Sequence, residues 1–63
     1  MTKSEIIRRA EEMIVGRNAM RNRKILIARL VDGLKYDELA EKFELTCRQI
    51  QNIVHKWEKI ISE

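Results

Sequence analysis

The chain has 63 residues, 44% hydrophobic and 37% charged, with two glycines, no proline, one cysteine, one histidine and a formal net charge of +3. A chain this short supports a single domain, because it buries only about 60% of the surface its unfolded form exposes. One cysteine and one histidine exclude an internal disulfide and a Cys/His zinc site, and no apolar run is long enough to cross a bilayer.

The first predicted helix starts at Thr2-Lys3-Ser4-Glu5, which has the form of a capping box. Ile6, Ile7, Ala10, Met13 and Ile14 follow at helical spacing, and Gly16 can adopt the left-handed conformation that ends a helix, so the span expected is 3–15. Asn18 is the expected N-cap of a second helix, whose buried arc comprises Ala19, Met20, Leu26, Ile27, Leu30 and Val31 and which Gly33 terminates. Ile25 falls on the other side of that wheel, so it packs against the first helix, meets another subunit or stays exposed, and packing on the first helix is favoured.

Tyr36, Leu39, Ala40 and Phe43 give a short third helix an apolar stripe, with Asp37 and Glu38 in the first turn, where they favour the helix dipole. Thr46-Cys47-Arg48-Gln49 is a second capping box and opens a fourth helix with the stripe Ile50, Ile53, Val54, Trp57, Ile60 and Ile61. Trp57 continues that stripe and is read as a core anchor rather than a stacking platform. The expected fold class is therefore all-α, with four short helices in one domain over 1–63.

Opposite the last stripe lie Arg48, Gln51, Asn52, His55 and Lys59, flanked by Cys47, Gln49 and Lys56. Glutamine and asparagine bond bidentately to adenine and arginine to guanine, so a helix presenting these groups suits the major groove. A merely solvated face would more usually carry Glu and Lys. Charge is also uneven: residues 1–31 carry eight bases and three acids, 32–46 two and five, and 47–63 three and two. Arg17, Arg21, Arg23 and Lys24 crowd into eight residues, a density suited to phosphate but also found on solvated helices.

Residues 36–55, from Tyr36-Asp37-Glu38-Leu39-Ala40 through Thr46-Cys47-Arg48-Gln49 to His55, resemble the helix-turn-helix family, with Leu39, Ala40, Phe43, Leu45, Ile50 and Ile53 on its apolar positions. Extended upstream through Asp32-Gly33-Leu34-Lys35, the segment is similar to the promoter-reading C-terminal domain of bacterial sigma factors and to the DNA-binding half of phage Mor-type activators. The resemblance implies that the last three helices, over 19–60, form a trihelical unit that inserts the fourth helix into the major groove, with 3–15 as an accessory helix. It also implies base contacts by Thr46, Cys47, Arg48, Gln51, Asn52 and His55, and phosphate contacts by Lys35, Tyr36, Lys56 and Lys59. Arg21, Arg23 and Lys24 join the phosphate set from the basic cluster.

Two positions depart from that pattern. Glu44 stands where the turn usually has a left-handed glycine, at a cost of roughly 1 kcal/mol. Lys35 stands where a Ser or Thr cap is usual, at a cost of about 1 kcal/mol.

The expected function is sequence-specific binding of double-stranded DNA by a small cytoplasmic bacterial or phage transcription regulator. A protein of this size reads a short half-site, which favours a homodimer on an inverted repeat; Val15, Ile25, Ile60 and Ile61 are the candidate contacts between chains. The alternative is an adaptor that uses the same fold on RNA polymerase or another regulator, through acidic Asp37, Glu38 and Glu41. RNA is a weaker third reading, since exposed aromatics for stacking are lacking.

An enzyme is not expected. Cys47 and His55 lie about 12 Å apart along one helix axis, too far to share a proton, and there is no phosphate-binding glycine loop. No cofactor, metal, membrane contact or small-molecule substrate is expected. Cys47, in the first turn of its helix, has either a lowered pKa and redox sensitivity or, as the sequence favours, a small packing or DNA-facing role.

Overall fold

The computed structural model of the chain describes residues 2–62. It has four helices, α1 (Lys3–Met13), α2 (Ala19–Leu30), α3 (Tyr36–Phe43) and α4 (Cys47–Ser62), and no strand among the described residues. None of these helices is long and apolar enough to cross a membrane.

α1 begins as the sequence indicates, with the Glu5 amide donating to Thr2 Oγ1 at 3.2 Å. The Glu5 carboxylate instead accepts from the Thr2 hydroxyl at 3.4 Å, so only the threonine half of the expected box is made. The helix stops at Met13, two residues short of the expected end, because Ile14 turns to an extended conformation (φ −82°, ψ 107°) ahead of Gly16 at φ 104°. Ala10 and Ile14 are fully buried, whereas Ile7 and Met13 lie at the rim. Two guanidinium groups fasten this helix and its exit to the rest of the fold: Arg9 Nη1 donates to the Ile61 carbonyl at 2.8 Å and Arg23 Nε to the Ile14 carbonyl at 2.9 Å.

α2 and α4 each pack against all of the other three helices, while α1 and α3 do not touch. The burial of α2 departs from the expected single arc. Ile25, Leu26 and Ala28 are buried, Met20 is 71% exposed, and Met20 and Lys24 are the exposed residues of this helix. Its neighbours meet it on several sides of the wheel, which blurs the one-sided periodicity that sequence reading relies on. Ile25 packs in the core with α1's residues, as its position suggested. Asn18 occupies the N-cap position, but its side chain makes no capping bond.

After α2 the chain reverses through Gly33 at φ 72°. Arg29 holds this corner, donating to the Leu34 carbonyl at 3.0 Å while its guanidinium carbon sits 4.6 Å from the centroid of the Tyr36 ring. α3 then starts at a Lys35 N-cap whose amide donates to Glu38 Oε1 at 3.3 Å. An ammonium has no lone pair to offer the helix amides, so the other half of a capping box is missing, as the sequence implied.

The turn from α3 to α4 places Glu44 in the left-handed region (φ 57°, ψ 42°). The Leu45 amide donates to the Ala40 carbonyl at 2.9 Å and the Glu44 amide to the Glu41 carbonyl at 3.4 Å, the paired bonds of a Schellman ending. A side chain at this φ costs about 1 kcal/mol that glycine would not. Glu44→Gly is therefore expected to raise the melting temperature by about 4–8 °C, read by thermal circular dichroism. An unchanged or lower value would show that the glutamate is compensated there.

The core is one continuous cluster drawn from all four helices: Ala10 and Ile14 below, Ile25, Leu26 and Ala28 from α2, Leu39 and Ala40 from α3, and Ile50, Val54, Trp57 and Ile61 from α4. Trp57 is 9% exposed and belongs to this core.

Candidate nucleic-acid interface

α4 owes its sharp start to Thr46 and Gln49. The Gln49 amide donates to Thr46 Oγ1 at 3.1 Å and the Thr46 amide to Gln49 Oε1 at 2.9 Å, so this capping box is complete. With 3.6 residues per turn, Gln51, His55, Arg48, Lys59 and Asn52 fall within an arc of about 100°. All five are exposed, and the buried Ile50, Val54, Trp57 and Ile61 lie opposite them. Glu58, the acidic residue of α4 within the described range, projects at about 80° from Arg48, at the edge of this arc. The face is thus rich in donors and poor in carboxylates.

From Arg48 to His55 the face extends about 10 Å along the helix axis, the length of about three base-pair steps at 3.4 Å. The other residues expected to read bases gather at its N-terminal end. Thr46 is exposed, and its hydroxyl oxygen accepts from the Gln49 amide. Cys47 is half-buried, and its thiol donates to Asp37 Oδ1 at 2.9 Å. That bond joins the first turn of α4 to the first turn of α3.

The Asp37 hydrogen bond, then desolvation, then the Asp37 charge raise the Cys47 pKa above its ordinary value. The lowered pKa weighed from the helix position is not what the fold produces: a carboxylate at bonding distance outweighs the start of the helix. Alkylation by iodoacetamide at mildly alkaline pH is expected to be slower than for an unperturbed cysteine and to speed up in Asp37→Asn. Equal rates in the two proteins would remove Asp37 as the cause.

The residues expected on phosphate divide into groups. Lys35 and Tyr36 stand at the start of α3, Lys35 exposed and Tyr36 half-buried beneath Arg29. Lys56 and Lys59 are exposed on α4, with the Lys56 ammonium 5.0 Å from the centroid of the Trp57 ring. Arg23 is partly buried and engaged with the Ile14 carbonyl, a role its place in the basic cluster did not suggest. Arg21 and Lys24 lie elsewhere again, with Arg17, beside Phe43 between α2 and α3. No α4 residue lines that groove. The linear basic cluster thus divides in space.

Among the described residues no group of three or more His, Cys, Asp or Glu side chains is placed to hold a metal ion. No protein family, curated protein or solved structure matches the chain.

Proposed function

We propose that this chain is a sequence-specific double-stranded DNA-binding protein, a small cytoplasmic transcription regulator of bacterial or phage type, in which α2, α3 and α4 act as a helix-turn-helix. The observation that carries the reading is the exposed arc of α4, where Arg48, Gln51, Asn52 and His55 stand together opposite the core. Arginine and the two amides are the side chains best suited to bidentate recognition of guanine and adenine. In this reading Thr46 and Cys47 complete the base-facing set, while Lys35, Tyr36, Lys56 and Lys59 flank it on phosphate. The left-handed turn at Glu44 is compatible with the same reading, since it ends α3 two residues before the Thr46 cap of α4.

The adaptor alternative draws on Asp37, Glu38 and Glu41, but two of these carboxylates already serve the fold. Asp37 accepts from Cys47, and Glu38 from the Lys35 amide. For a homodimer, Ile25 and Ile61 are fully enclosed, which leaves Val15 at 62% and Ile60 at 37% exposure as the accessible members of the four candidate contacts.

Selection from random duplex DNA at physiological salt, followed by sedimentation with and without the winning site, tests the proposal. Enrichment of an inverted repeat with half-sites about one helical turn apart is the expected result. Weak, salt-sensitive binding without sequence preference would favour the adaptor.

A further inference from the structure

The open side of α2 has chemistry of its own. Met20 and Lys24, four residues apart, are the exposed residues of this helix, and both line a surface groove shared with Phe43 at the end of α3. The groove occupies about 430 Å³ between Arg17, Asn18, Met20, Arg21, Lys24 and Phe43. It continues past Lys24 and Phe43 into a second hollow of about 500 Å³, bounded by Ile27, Ala28, Asp32 and Lys42. At 1.5 Å per residue, the helix edge from Met20 to Ala28 measures about 12 Å, the reach of about four extended residues.

Two properties coincide here. The apolar part of the lining is Met20, Phe43, Ile27 and Ala28, and the charged part is four cations, Arg17, Arg21, Lys24 and Lys42, against one carboxylate, Asp32. Arg21 also has a buried Nε without an acceptor, so turning its guanidinium toward a carboxylate in the groove sacrifices no hydrogen bond of that nitrogen. A phosphate backbone would use the cations and leave the apolar part unused. A peptide combining carboxylates with a large apolar side chain would use both, and a flexible methionine lining the same groove as a phenyl ring adapts readily to such a side chain.

We propose that the groove between α2 and α3 binds a short acidic protein segment that carries an aromatic or long aliphatic anchor. The anchor sits between Met20 and Phe43, and its flanking carboxylates pair with Arg21, Lys24 and Lys42. Because no α4 residue lines the groove, the polar face of α4 stays free when it is filled.

The test is selection of random displayed peptides on the intact chain, with the winning synthetic peptide mapped by amide chemical shifts. The expected consensus is acidic with one large apolar residue, and the perturbed amides are those of Met20, Lys24, Ala28 and Phe43. Replacing the anchor by alanine should weaken the peptide at least tenfold, as should Lys24→Glu or Met20→Ala in the protein. Both protein changes fall on exposed side chains, and circular dichroism checks that the fold is kept. Failure to enrich any peptide, an anchor-independent affinity, or shifts confined to α4 would overturn the proposal. So would a random duplex that perturbs the same amides and displaces the peptide, since the groove would then be a phosphate site.

Discussion

Replacing Ile14 by alanine is expected to destabilise the protein by about 2–5 kcal/mol, the usual range for removing most of a buried isoleucine side chain. Ile14 is fully buried, although it lies outside α1, in the extended exit from that helix. Its carbonyl accepts from Arg23, and its side chain joins the cluster shared with α2 and α4. At roughly 0.05–0.15 kcal/mol per residue, a chain of this size has only about 3–9 kcal/mol of stability, so the substitution removes a large part of it. Urea unfolding followed by Trp57 fluorescence provides the measurement, because Trp57 sits in the same cluster but on α4. A large fall in midpoint at the tryptophan shows that α1 and its exit are integral to the domain rather than an accessory. A loss below about 1 kcal/mol, well under the range for a buried site, would mean that α1 docks loosely on a unit that folds without it.

On a selected DNA site, Asn52→Ala and Arg48→Ala are each expected to cost about 1–3 kcal/mol, or roughly fivefold to 150-fold in affinity, and to relax preference at one base position. Both side chains are exposed on α4, so stability should change little. Lys59→Ala, near them but expected on phosphate, should weaken all sequences alike and lower the salt slope by about 0.9. Competition gel shifts at several salt concentrations separate the two patterns. If all three variants behave identically, α4 does not read bases; if none changes affinity, the exposed arc is not the DNA surface.

Arg21 and Lys24 distinguish the two proposed surfaces. In the linear sequence they belong to one basic cluster with Arg23 and were expected on phosphate. In space Arg23 fastens α2 to the end of α1, while Arg21 and Lys24 edge the groove beside Phe43. Lys24→Glu should therefore reduce peptide binding more than DNA binding. The reverse order would return the residue to the phosphate set.

What the sequence determined by itself was local. The starts of α1 and α4 follow from Thr2 and Thr46 and the corners from Gly16 and Gly33, because each depends on atoms a few residues apart, while the left-handed turn at Glu44 was implied by the family resemblance. The exposed arc of α4 was equally legible, since that helix buries one side and a single periodicity describes it. Tertiary structure alone decided α2: α2 and α4 each meet all three other helices, but α4 buries one side of its wheel whereas α2 buries Ile25, Leu26 and Ala28 on different sides and leaves Met20 in the open. It likewise decided that Cys47 meets Asp37, that Arg9 reaches the end of α4, and that Phe43 and Lys24 share a groove. Those pairings join separate helices, and helical periodicity fixes which side of a helix a residue occupies but not which neighbour it meets there.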